Sequence, residues 1–288
     1  MIYLALSILI SSLLFVIFKL FDLYKVNTLQ AIVVNYIIAL AFGYFLSEIS
    51  VEIRQIPEQS WFLGAFSLGF LFILIFNVMA ITAQKNGLSV ASVAGKMSVV
   101  IPVVFGIIIY KESAEPLKIL GIVLALVAVY LSSAKSDKNP VKFKNLLFPL
   151  LLFVGSGLID TGLKYVETTY VSEGAVPLFL ATIFGFAFVL GSFVLLIQMV
   201  NGKFQFHWKN VIAGIVLGVP NYYSMVFLLK ALQTKGMESS TLFTINNVAI
   251  VIITTVFALL VFKEKLIKKN WIGIALAVTS ILLVVSSS

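Results

Sequence analysis

The chain has 288 residues, 61% hydrophobic and 11% charged, with a mean hydropathy of +1.11 and a formal net charge of +8. A soluble fold cannot hide that much apolar surface, so lipid is the solvent; the runs are continuously apolar rather than alternating, which favours helices over a β-barrel. With no cysteine and one histidine, His207, the chain can build no disulfide, iron–sulfur or multi-histidine metal centre, and positive charge held in short loops speaks for membrane orientation rather than nucleic acid.

Ten apolar runs are read along the chain, over 2–18, 29–46, 61–82, 89–110, 117–132, 146–165, 176–200, 211–229, 239–262 and 271–285. Most come close to the roughly 20 residues that a hydrocarbon core of about 30 Å requires. The first is apolar from its second residue and lacks a basic n-region and a small-residue cleavage site, so it reads as a span and not a signal peptide. Asn35 and Tyr36 in the second run and Asn77 in the third are polar interruptions that packing or a binding role can explain.

The fourth run carries Lys96, about eight residues or 12 Å deep at 1.5 Å per residue. A charge at that depth costs about 2.5–3.5 kcal/mol on insertion scales, and an intramembrane ionisable group is by default a functional candidate. Ser89, Ser92 and Lys96 share one helical face beside a stripe of small residues, Ala91, Gly95, Ser98, Pro102 and Gly106. One flank can therefore pack tightly while the next faces a wet cavity, and Pro102 permits a bend. The alternative is a structural lysine paired with a carboxylate or carbonyls.

After the polar link at 134–145, the sixth run holds Asp160, with Gly157, Thr161 and Lys164 on the same face by i, i+3, i+4 spacing. Asp160 can pair with Lys164 one turn on, or face the cavity and exchange a proton as its partners change. In the eighth run Pro220 precedes Asn221, Tyr222 and Tyr223, a pattern that fits either an interrupted helix with cavity-lining carbonyls or a kink. The ninth run presents Ser240, Thr244, Asn247 and Thr254 on one stripe with Asn246 beside it, as cavity lining or as interhelical hydrogen-bonding glue.

Much of this is written twice. Gly87 to Ser133 and Gly236 to Ser287 each run from a glycine through a span to a charged turn, Tyr110-Lys111-Glu112 or Phe262-Lys263-Glu264. Each closes on a span containing a Gly-Ile step, at Gly121 or Gly273; turn and closing span repeat at a spacing of 152 residues. Ser11-Ser12-Leu13 and Lys19 likewise correspond to Ser156-Gly157-Leu158 and Lys164 at a spacing of 145. Halves of five spans must enter the membrane in opposite senses. The expected fold class is therefore an all-α integral membrane protein with ten transmembrane helices as two inverted five-helix repeats, 1–133 and 146–288, joined by a linker at 134–145. Loops after odd-numbered spans carry 13 Lys and Arg and those after even-numbered spans 6. By positive-inside reasoning the odd loops are cytoplasmic and both termini outside.

This arrangement resembles the drug/metabolite transporter superfamily. Val261-Phe262-Lys263-Glu264-Lys265-Leu266 with Trp271-Ile272-Gly273-Ile274-Ala275-Leu276 resembles the closing signature of its EamA-type branch, although that family usually has Gly-Glu where both turns here have Lys-Glu. The resemblance implies cytoplasmic termini, against the Lys/Arg count. It also implies a secondary transporter of small polar organic metabolites, amino acids or related solutes, working by alternating access and by export, in a bacterial inner membrane. On that reading the substrate-binding residues are Lys96, Asp160, Ser92, Asn77, Asn221, Tyr222, Thr244, Asn246 and Asn247. Lys96 would hold a carboxylate, and Asp160 a proton or an amine. The expected partners are the small-molecule substrate, the lipid bilayer and coupled protons. No cofactor, metal or nucleic acid is expected, and no phosphate-binding Gly-Lys-Ser/Thr loop exists for ATP to drive the cycle. The competing readings are a multidrug or cation exporter of the same fold and a non-transporting scaffold or sensor. A membrane-embedded enzyme is disfavoured by scattered carboxylates, one histidine and no cysteine.

Overall fold

The computed structural model describes residues 2–46, 53–109, 115–134, 143–172, 174–232 and 239–286. The described residues form helices and no strands. In order they are α1 (Ile2–Leu23), α2 (Thr28–Phe45), a 3-10 turn (Ile53–Glu58), α3 (Phe62–Lys85), α4 (Leu88–Met97), α5 (Val100–Ile109), α6 (Pro116–Ser132), α7 (Phe143–Tyr170), α8 (Val176–Val200), α9 (Trp208–Leu232), α10 (Ser239–Leu260) and α11 (Lys268–Ser286). By length and composition, 7 described helical segments can cross a membrane, with α4 and the start of α5 taken together as Leu88–Phe105. The first Lys-Glu turn, the glycine at 236 and most of the 134–145 link lie outside the described residues.

Local chemistry sets the helix ends. Asn27 caps α2 by accepting from Gln30 N–H at 3.1 Å. Pro116 and Pro177 sit in the first turns of α6 and α8, where a missing N–H costs nothing. The fourth run is more than bent: α4 stops at Met97 and α5 restarts at Val100. Pro102 lacks the N–H that would reach the Ser98 carbonyl, and its ring crowds that same carbonyl. The chain tightens instead, with Ile101 N–H on Ser98 C=O at 2.9 Å. Of the two readings of the eighth run, the interrupted helix is corrected, because α9 runs unbroken through Pro220. One lost hydrogen bond is tolerated there while Gly214 and Gly218 press against α2.

The chain gathers into two compact units, each drawing on both halves of the sequence. Unit 1 comprises Met1–Leu20, Val78–Leu158 and Tyr223–Ser288. Within it α6 and α11 pack antiparallel with reciprocal contacts. Gly273 lies against the Ala128 carbonyl and Ser132 N, where a Cβ would come within 3.0 and 2.7 Å. Ser280 Oγ donates to the Gly121 carbonyl at 2.7 Å. Residues 121 and 273, like 128 and 280, are 152 apart, so each helix offers the other the same small position. Asn270, buried at the start of α11, clamps the end of α6. Its Nδ2 donates to the carbonyls of Leu131 (3.3 Å), Ser132 (2.8 Å) and Ala134 (3.0 Å), and its Oδ1 accepts from Ile267 N–H at 3.0 Å.

Unit 2 comprises Phe21–Asn77 and Ile159–Tyr222. Gly43 of α2 meets Ala181 of α8, and Gly191 of α8 meets Val33 of α2; both partners are related by a spacing of 148. Gly69 of α3 packs on Phe186 and the Ile183 carbonyl, while Gly218 of α9 packs on Ile38 and the Asn35 carbonyl. The partners again differ by 148, so α3 sits on α8 as α9 sits on α2. Such close approaches give the dispersion contacts that hold helices together in lipid, where apolar burial supplies little drive.

Candidate functional site

The site is built on α4, α10 and α1 of unit 1. Helix α4 begins after Gly87, whose φ of +114° suits a residue without Cβ. Ser89 and Ser92 are both buried. Ser92 Oγ donates to the Ser89 carbonyl at 3.0 Å, while Ser89 Oγ has no hydrogen-bond partner among the described residues. Lys96 is half-buried in the last turn, where the negative end of the helix dipole favours a cation. Ser98 Oγ donates to the Gly95 carbonyl at 2.6 Å and helps close that end. Gly95 itself faces Phe15 of α1 and Leu152 of α7.

Helix α4 packs on α10, which carries Asn246 and Asn247, both buried. Asn246 Oδ1 accepts from Ser7 Oγ of α1 at 3.3 Å, and Asn246 Nδ2 points to Asn247 Oδ1 at 3.5 Å. Ser7 is a member of this group that sequence reasoning missed. It lies 239 residues from its partner, in a run with no distinguishing local signal. Thr244 lies on α10, but its side chain falls outside the described ones. Ser92, Lys96, Asn246 and Asn247 thus lie on two helices of unit 1, α4 and α10, that pack on one another.

The other candidates lie in unit 2. Asn221 Nδ2 donates to Asn35 Oδ1 at 3.0 Å, a buried amide pair joining α9 to α2. Tyr222, also buried, stacks on Phe42 with centroids 5.7 Å apart. Asn77 returns its amide to the Ile73 carbonyl of its own helix at 2.7 Å and is half-buried. Tyr36, fully buried between Phe76 and Phe184, has no hydrogen-bond partner for its hydroxyl among the described residues. Asp160 is exposed on α7. Lys96 and Asp160 belong to different units, and each is placed only within its own. Among the described residues no three His, Cys, Asp or Glu side chains gather as metal ligands.

One further cluster stands at the start of α4. Glu264 Oε1 accepts from Leu88 N–H at 2.7 Å and forms an ion pair with Lys19 Nζ at 3.5 Å. Lys19 also donates to the Ala83 carbonyl at 3.2 Å. The repeated Lys-Glu turn marked Glu264 in the sequence, but not its partner 176 residues away.

Comparison with known proteins gives three results. The sequence pattern described as the EamA-like transporter family matches residues 1–134. An uncharacterized protein of Haemophilus influenzae is 32% identical over 261 residues, covering 88% of this chain and 86% of that protein. A solved crystal structure superposes with a TM-score of 0.61 at 13% identity, covering 98% of this chain and 94% of the other, a likeness of fold alone.

Proposed function

This chain belongs to the EamA-like transporter family of the drug/metabolite transporter superfamily, and we propose that it carries small carboxylate-bearing polar solutes, amino acids or their relatives, outward by alternating access. On this reading α4 and α5 form one crossing, the shorter helices cross as well, and ten spans form two inverted repeats. The reciprocal contacts of 121 with 280 and 128 with 273, of 43 with 181 and 33 with 191, and the matched seats of Gly69 on 183 and 186 and of Gly218 on 35 and 38, support that symmetry. An antiparallel helix pair whose small positions answer one another is what a pseudo-dyad in the membrane plane produces.

The observation that carries the substrate assignment is Lys96 in the last turn of a half-helix broken inside a span. A solute carboxylate pairs with the ammonium, and the hydroxyls and amides of Ser92, Asn246 and Asn247 receive its polar body. Thr244, on the same helix as Asn246 and Asn247, completes the site in this proposal. A thermal-shift screen of the purified protein against amino acids, sugars, nucleosides and cationic drugs tests it. Carboxylate-bearing amino acids should raise the melting temperature of the wild type and not of Lys96→Ala. Stabilisation by cationic drugs alone would replace this reading with that of a cation exporter.

Asp160 is assigned the proton. Asp160→Asn should flatten the dependence of transport on pH across a proteoliposome membrane, because an amide cannot load or release a proton. A pH profile that keeps its shape removes Asp160 from coupling.

A further inference from the structure

The Lys-Glu turn has a role that the solute-binding reading leaves unassigned. Lys263, just before Glu264, holds φ at +50°, a left-handed backbone that lysine rarely adopts. That turn reverses the chain at the end of α10, placing Phe262 N–H on the Phe257 carbonyl (3.2 Å) and Glu264 N–H on the Ala258 carbonyl (2.8 Å). The Glu264 backbone is thereby anchored to the last turns of α10 while its carboxylate reaches the first N–H of α4 at 2.7 Å. A carboxylate at a helix start satisfies an orphan donor and complements the positive end of the dipole. Gly87 leaves the space it needs, since a Cβ there would lie 3.0–3.3 Å from the carboxylate atoms.

Helix α4 has only 10 residues, and its far end carries Lys96. A helix that short is marginal by itself and depends on what holds its ends. We propose that Glu264 is a positioning residue that fixes the register of α4 against α10 and so sets where Lys96 stands relative to Asn246 and Asn247. Its value for transport rests on the reading of Lys96 as the solute-binding cation, but the mechanical coupling does not. Strain at Lys263 fits this role, since outlying backbone persists where surrounding structure and function require it.

The test exploits a chain without cysteines. Lys96→Cys introduces a single thiol whose rate of labelling by a small maleimide in proteoliposomes reads the placement of position 96. Hydrogen exchange over 88–97 in the full chain reads the cap. Glu264→Ala should speed exchange there by about tenfold, the scale of a lost cap, and change maleimide labelling at 96 by about fivefold, with exchange over α2 unchanged. Glu264→Gln keeps an acceptor for Leu88 N–H and should leave both within about twofold of the parent. Faster exchange without a change in labelling makes Glu264 a local cap only and overturns the proposal. So does a Gln variant that behaves like Ala, which would assign the effect to the Lys19 ion pair. If Glu264→Ala does not fold, Glu264→Asp draws the same carboxylate back by one methylene from Leu88 N–H, and unchanged labelling in that variant is equally fatal. Altered labelling alongside normal transport by Lys96→Ala would sink the solute-binding reading and leave this coupling standing.

Discussion

Lys96→Ala is expected to lower solute uptake into proteoliposomes by roughly 100-fold, the scale of a lost charge-assisted contact in a site shielded from water. Stability should move the other way or not at all. A cation inside the bilayer costs about 2.5–3.5 kcal/mol to insert, and the α4 dipole offsets only part of that, about 0.3–1 kcal/mol at an exposed site and up to ~2 kcal/mol when partly buried. Removing the charge relieves only what those compensating interactions leave uncovered. Lys96→Arg keeps the charge but replaces a compact ammonium with a planar fork, so partial activity is expected. A Lys96→Ala protein that melts several degrees lower while transporting normally would make this lysine structural.

Asn270→Asp should be among the most destabilising single changes in unit 1. The Asn270 amide nitrogen serves three carbonyl oxygens at the end of α6, and its oxygen serves one N–H. An ionised aspartate has no donor, so it would present negative charge to three acceptors in a buried place. The loss should reach about 3–5 kcal/mol, as for an uncompensated buried charge. Asn270→Ala leaves the carbonyls unserved but adds no charge, and should cost about 1–3 kcal/mol. Thermal melts in one detergent should rank the parent above Ala and Ala above Asp. Equal melting temperatures for Ala and Asp would mean that water reaches the α6 terminus.

Features carried by local composition or by repetition were legible before any coordinates. Seven spans follow from apolar length, and the spacing of 152 residues related Gly121 to Gly273; the structure sets Gly121 against Ser280 and Gly273 against Ala128, positions related by that same spacing. Lys96 stood out because charge in an apolar run is rare. Proline was read unevenly. Pro102 suggested a bend and accompanies a break, whereas Pro220 suggested either a break or a kink and sits in an unbroken helix. The residue alone does not decide, because the outcome depends on whether the flanking turns are held by neighbours. The polar partners were hidden for a different reason. Ser7 finds Asn246, and Glu264 finds Leu88, across 239 and 176 residues, and a serine or glutamate in isolation does not announce where the fold will carry it.

The break after Met97 has no counterpart in α10, which continues without interruption from Ser239 to Leu260. The two stretches share a sequence pattern, yet one stays a whole rod while the other is pinched into a turn near its middle, just past its ammonium. On the proposed reading of Lys96, a guest with two like ends gains nothing from that asymmetry, whereas one with unlike ends is held one way round; handedness and head-to-tail polarity of the cargo should then govern recognition more strongly than its bulk.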